Sequence, residues 1–271
     1  MTVRAVHHLN CGTMILGLVS HCLLIETSDS LVLVDSGFGT DSVRDPATFL
    51  GPARLAIAPK LNMRETALHQ IEALGYDRRD VRHIVLTHLD LDHAGGIADF
   101  PWATVHVHGP ELRAAQAPGL ANRLRYRTQQ WRHGPQWQVN ELDDGETWFG
   151  LEVAGNLAGL PPEIVVIPLY GHTHGHIGVA VDTDTGWLLH AGDALLHTGQ
   201  LCRGLHPTTL VYGSPNPRLV LARVQNVRRL RELRQDNDDN ITIFAAHDRY
   251  AFARLSAAPP TSRRYSRSRP V

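Results

Sequence analysis

Short apolar runs separated by polar breaks recur along most of this chain, and their spacing predicts its elements. Residues 16–27 and 31–35 read as two strands joined by Ser28-Asp29-Ser30, a hairpin. Residues 40–62 carry Pro46, Pro52 and Pro59 with Gly39 and Gly51, which predicts an irregular excursion. Ala67, Leu68, Ile71 and Leu74 fall at helical spacing, stopped by Gly75. A turn over 77–81 leads into the apolar strand His83-Ile84-Val85-Leu86, and residues 104–108 form the next strand before Pro110 opens a helix. Residues 116–148 are the least regular: polar, rich in arginine, and holding Trp131, Trp137 and Trp148. Strands resume at 163–169, 177–181 and 187–190. An amphipathic helix over 217–234 then presents Val220, Val224, Val227 and Leu230 on one side, and a last strand spans 241–246.

Strands come first in hairpins and then alternate with helices, and the pattern recurs in the second half. That order suits an α/β architecture of two sheets packed face to face with helices outside. Residues 1–255 read as the folded domain. Residues 256–271, rich in Pro, Ser and Arg and poor in apolar anchors, read as a disordered tail.

Four polar clusters change the picture, because each follows an apolar segment. The first, Thr87-His88-Leu89-Asp90-Leu91-Asp92-His93-Ala94-Gly95-Gly96, packs two histidines and two aspartates into six positions. The others are His172-Thr173-His174-Gly175-His176, His190-Ala191-Gly192-Asp193 and Ala246-His247-Asp248. Taken singly they are weak signals. His247-Asp248 reads as a surface turn, His172 to His176 as one polar face, and His190 as a buried histidine inside a strand. In this order, loops at strand ends can aim imidazoles and carboxylates at one point, and that donor mixture suits a divalent metal. Asp35, at a strand end, reads as a carboxylate that orients a ligand histidine.

The series resembles the metallo-β-lactamase superfamily, whose first motif reads His-x-His-x-Asp-His and is followed by single His, Asp and His positions. The resemblance covers residues 10–250, and the Ala246-His247-Asp248 ending is most similar to the N-acyl-homoserine lactonase group. It implies a four-layer αβ/βα sandwich with a metal site on one edge. Carried over by motif position, His88, Asp90 and His172 hold a first divalent ion, Asp92, His93 and His247 a second, and Asp193 bridges them. Two such ions lower the pKa of bound water toward about 7 and polarise a scissile carbonyl, with Asp92 as the proton shuttle. The one departure is Asp90, where the family has its second histidine. Zinc is the metal the resemblance implies. Asp90, a harder oxygen donor, shifts preference toward manganese or iron. If it is a ligand, Asp90→Ala loses one metal equivalent; the alternative is that it reaches no metal.

The resemblance makes hydrolysis of a lactone or carboxylic ester the leading expectation. Substrate contacts are expected from loops 36–64, 116–160 and 195–215, with His197, His206 and Tyr212 as polar candidates. Phosphodiester or phosphotriester hydrolysis is the alternative, with Arg123, Arg125, Arg127 and Arg132 able to meet phosphate or to form a solvated face. An iron-dependent oxidoreductase of the same fold and a non-catalytic binding protein are the rivals from other classes. Diiron flavoproteins of the superfamily carry a glutamate at the position of Asp90, but this chain has no room for their flavin domain. Arg223, Arg228, Arg229, Arg231 and Arg234 read as an outer, solvated helix face.

Composition narrows the partners. The 271 residues are 43% apolar and 20% charged with a net charge of -1, so no global field draws nucleic acid or an anionic membrane. No apolar run approaches the roughly 18 residues of a membrane span. Three scattered cysteines suggest a reducing compartment, hence a cytoplasmic protein acting on a small molecule, with room for a homodimer.

Overall fold

Unbroken apolar runs mark the strands that are covered on both faces. Leu31–Val34 and Ile164–Pro168 are buried at every position, as expected for strands between two layers. The structure is a computed structural model that describes residues 2–117, 119–141, 146–153, 157–202, 216–258 and 261–262.

The larger sheet contains β1 (Val3–Thr13), β2 (Val19–Thr27), β3 (Leu31–Val34), β4 (Val81–Val85), β5 (Thr104–His108) and β6 (Gln136–Asn140) in that order. The first three run antiparallel, and β3 to β6 run parallel. A small hairpin, β7 (Glu146–Trp148) and β8 (Leu151–Val153), follows. The second sheet contains β9 (Ile164–Pro168), β10 (Ile177–Thr183), β11 (Gly186–His190) and β12 (Ile241–Phe244), with β11 and β12 parallel. The Pro217–Asn237 helix makes that parallel crossover.

The sheets meet through Leu23, Ile25, Val32, Val34 and Val85 on one side and Val166, Ile177, Val179, Leu188 and Phe244 on the other. Helices Ala67–Ala73 and Gly109–Gln116 cover the outer face of the larger sheet through Leu68, Ile71 and Leu112. Val227, Leu230 and Leu233 of the Pro217–Asn237 helix cover the smaller one. The four-layer sandwich expected from the sequence is therefore the observed fold.

Several local expectations are corrected. The strand expected from residue 16 begins at Val19, because Ile15–Gly17 is a 3₁₀ turn with Leu16 at φ 59° and 82% exposed. β1 has no regular alternation of apolar and polar residues, and its pairing with β2 shifts register at Val3/Ala5 and Asn10/Thr13. Residues 40–62 contain three short helices, Thr40–Arg44, Pro46–Leu50 and Ala53–Ile57, with Asp45 capping the second. The irregular stretch 116–148 supplies the Leu120–Arg125 helix and the edge strand β6. Thr261–Ser262, inside the stretch expected as a tail, forms β13 on β1, opposite Ala5 and Val6; residues 259–260 and 263–271 lie outside the described residues. On the Pro217–Asn237 helix the buried face is rotated from the expected stripe: Val220 and Val224 are only partly buried, whereas Arg223 and Asn226 are buried.

The turn after β3 is closely packed. Gly37 sits at φ 62°, and a Cβ there would lie 2.2 Å from Cys11 Cβ and 2.4 Å from the Cys11 carbonyl oxygen. A left-handed backbone and an overpacked neighbour together cost about 2–5 kcal/mol. Gly37→Ala is expected to lower the unfolding free energy by that amount, read as a fall in the urea midpoint at unchanged slope, and an unchanged midpoint would refute this reading of the turn.

Candidate metal centre

Each candidate ligand lies a few residues past the end of a strand. β4 delivers His88, Asp92 and His93; β9 delivers His172, β11 Asp193 and β12 His247. The larger sheet thus supplies one half of the set and the smaller sheet the other. Two groups form within 4.8 Å: His88, His172 and Asp193, and Asp92, His93 and His247.

Asp193 lies between them. Its Oδ2 is 3.1 Å from His247 Nε2, 3.3 Å from His172 Nε2 and 4.0 Å from His88 Nε2, and its Oδ1 is 3.4 Å from His93 Nε2. Asp92 Oδ2 approaches His247 Nε2 at 3.6 Å and His93 Nε2 at 3.8 Å.

The opposite ring nitrogens of three histidines are fixed. His93 Nδ1 donates to Asp35 Oδ2 at 2.8 Å, and His247 Nδ1 donates to the Val19 carbonyl at 2.8 Å. His88 Nδ1 donates to Thr87 Oγ1 at 3.0 Å, while that hydroxyl donates to Asp35 Oδ2 at 2.8 Å. These bonds keep the proton on Nδ1 and turn each Nε2 toward the centre, where the neutral ring offers a lone pair to a cation. Asp35, as expected, orients a candidate ligand. Among the described residues, His88 Nε2, His93 Nε2 and Asp193 Oδ1 are enclosed without a hydrogen-bond partner. Such buried acceptors are costly alone and suit a divalent cation.

The supporting bonds extend to residues that the sequence did not single out. Glu111, fully buried, accepts the Leu89 N–H at 3.0 Å with one oxygen and the Gly175 N–H at 3.0 Å with the other. It therefore ties the loop carrying His88 to the loop carrying His172. His176 Nε2 accepts the Asp193 N–H at 2.9 Å, and its Nδ1 donates to the Leu169 carbonyl at 3.1 Å. His190 donates to the His21 carbonyl at 2.6 Å and stays in the core. Asp248 caps the Arg249–Ser256 helix by accepting the N–H groups of Tyr250 and Ala251.

Asp90 is held differently. Arg125 Nε and Nη2 donate to its two oxygens at 2.7 and 2.6 Å, a bidentate pair. The same Nη2 also donates to His172 Nε2 at 2.7 Å. Asp90 Oδ2 is 3.0 Å from that nitrogen and 3.3 Å from His88 Nε2. Asp90 thus belongs to the neighbourhood of the first group, with a guanidinium as its partner.

The charges follow from this packing. Burial opposes the charge on Asp90, but Arg125, His88 and His172 together outweigh it and hold the carboxyl well below the usual carboxylate range. Burial likewise opposes ionisation of Asp193, which His247 and His93 overcome, keeping it an anion. His247 is pushed up to about 9, with Asp193 overriding the burial penalty. Burial pulls His172 down to about 4, leaving it neutral.

A model of the metallo-beta-lactamase superfamily matches residues 15–247. The chain belongs to that superfamily. It is 47% identical to a probable metallo-hydrolase of Mycobacterium tuberculosis over 250 residues, covering 90% of this chain and 80% of the relative. An N-acyl homoserine lactonase of Bacillus cereus is 32% identical over 103 residues, 38% of this chain and 41% of that one. The fold superposes on a lactonase structure from B. thuringiensis with N-decanoyl-L-homoserine at its active site, at a TM-score of 0.71 and 22% identity, covering 94% and 97% of the two chains. The protein is a metallo-hydrolase.

Within this superfamily member the structure brings His88, Asp92, His93, His172, Asp193 and His247 together, with Asp90 beside them. His197 lines a cleft of about 420 Å³ with Leu16, Leu18, Leu196, His247 and Tyr250. His206 and Tyr212 lie outside the described residues. Arg125 carried only the signal of an arginine-rich stretch. No helix among the described residues is long and apolar enough to cross a membrane.

Proposed function

We propose that this metallo-hydrolase holds two divalent ions, one on His88, His172 and Asp193 and one on Asp92, His93 and His247, and hydrolyses a lactone or carboxylic ester of a small molecule. The observation that carries the reading is Asp193, whose carboxylate reaches four histidine Nε2 atoms across both groups. A donor set of four imidazoles with carboxylates suits zinc, while Asp90 adds a hard oxygen that favours manganese or iron. Bound ions of this kind supply Lewis acidity and acidify water.

The protein's own groups do the rest. Asp193 and the histidines hold the centre in register, since Asp35, Thr87 and the Val19 carbonyl fix three of the rings. Asp92 is the group suited to carry a proton. Its side chain is 14% exposed against 9% for Asp193, and Asp90 is engaged by Arg125. Ser20 Oγ donates to the Asp92 carbonyl at 2.5 Å and keeps its backbone in place. The cleft beside His247 is walled by Leu16, Leu18, Leu196 and Tyr250, which suits an apolar acyl or ring system. The lactonase relatives add weight to a lactone. Phosphodiester hydrolysis is the second reading, favoured by the presence of Arg125 against the first group.

Metal analysis of protein purified without added metal, followed by a panel of lactones, esters and phosphodiesters, tests the proposal. Two equivalents of metal and chelator-sensitive lactone or ester hydrolysis are expected. Turnover of phosphodiesters alone would overturn the ranking.

A further inference from the structure

Arg223 is a buried charged side chain outside the candidate ligand set. It lies on the buried face of the Pro217–Asn237 helix and is 3% exposed, and its Nε and Nη1 are enclosed with no hydrogen-bond partner among the described residues. A guanidinium stays charged in a protein and presents a rigid fork of donors. Leaving such a group buried and unpaired is unfavourable unless something anionic meets it.

Its position relates it to the metal centre. The Arg223 backbone packs so closely on Gly171, the residue before His172, that a Cβ on that glycine would lie 2.5 Å from the Arg223 nitrogen. Three residues on, Asn226 Nδ2 donates to the Tyr170 carbonyl at 2.7 Å, pinning the same loop to the helix. The Arg223 charge interacts favourably with Asp193 and unfavourably with Arg125, so all three groups share one electrostatic neighbourhood. Arg125 has its carboxylate in Asp90, whereas no carboxylate among the described residues is bonded to Arg223.

We infer that Arg223 is an oxyanion receptor beside the metal centre, selecting substrates that carry a carboxylate or phosphate in addition to the bond to be cleaved. The inference rests on the hydrolytic reading of the same centre and names its substrate class. An oxyanion seated there would take the Arg223 fork as a charge-assisted pair. The apolar cleft beside His247 would remain for the rest of the molecule.

The full-length protein, saturated with the metal it purifies with, is titrated with inorganic phosphate and with succinate by calorimetry. Arg223→Met is expected to weaken both by at least about tenfold, as loss of a charge-assisted pair does, at unchanged metal content. Arg223→Gln, neutral but polar, is expected to behave alike and serves if methionine unfolds the chain. The tighter of the two ligands in the wild type identifies the head group. Wild-type KM for monophenyl succinate is expected to lie below that for phenyl acetate, and the variants are expected to erase the difference. Equal phosphate and succinate binding in variant and wild type would overturn the inference. So would loss of metal together with anion, which makes Arg223 a prop for Asp193, and so would a wild type indifferent to the ester's charge. Anion binding requires no turnover, so inactivity toward every ester sinks the hydrolytic reading and leaves the receptor measurement standing.

Discussion

Asp193→Ala is expected to reduce turnover on the order of a thousandfold or more, equivalent to about 4 kcal/mol of barrier. It is also expected to lower the affinity of both metal groups together. The reason is geometric. One carboxylate stands within 3.1–4.0 Å of Nε2 on His88, His172 and His247 through one oxygen, and 3.4 Å from His93 Nε2 through the other. Removing it deletes a donor from the first group and the carboxylate nearest His93 and His247 of the second, and leaves a cluster of imidazoles without the anion that draws cations to it. The backbone cost is small, because the Asp193 N–H keeps its bond to His176 Nε2. Metal content after gel filtration and turnover on the best substrate check this. A variant that retains two equivalents with near wild-type turnover would remove Asp193 from the centre.

The second large effect separates Asp90 from Arg125. Asp90→Ala leaves the Arg125 guanidinium without its carboxylate and still 2.7 Å from His172 Nε2, a cation held against a candidate metal ligand. Loss of one metal equivalent is expected, with a fall in turnover of about a hundredfold, within the range seen when a residue supporting a ligand is removed. Arg125→Met should act in the opposite sense on the metal. It frees both Asp90 oxygens, one of them 3.3 Å from His88 Nε2, to serve a cation. Two equivalents are expected to stay bound, more tightly in the first group. Competition with a chromogenic chelator measures both variants. Equal affinities in the two would show that the pair stands apart from the metal.

The contrast between the two arginines and the ligands shows what the sequence made legible. The candidate ligand positions were legible through the motif resemblance, and short loops past the strand ends bring six of them together. Asp35 could be read from its place at a strand end. Arg125 and Arg223 could not, since each stands on a helix whose rotation is set by packing. On the Pro217–Asn237 helix, the stripe of Val220 and Val224 suggested a buried side that the fold turns toward Arg223 and Asn226. Glu111 was hidden as an ordinary acid in the first turn of a helix, although its two oxygens join loops 22 and 64 residues away from it in sequence. The sandwich itself was legible from runs such as Leu31–Val34. β1 was obscured by its irregular register, and β6 by a polar, arginine-rich context.

Because each ligand group draws on both sheets, an ion bound there would act as a rivet across the sandwich. His88 belongs to the larger sheet, and its companions His172 and Asp193 to the smaller. Asp92 and His93 face His247 across the same divide. Metal affinity and the alignment of the two sheets are then one linked equilibrium, since whatever binds the aligned state stabilises it. A slip of the layers over Val34, Val85, Val179 and Phe244 would be felt first as a stretched coordination sphere. The interior between the sheets is, in this sense, a distant part of the metal centre.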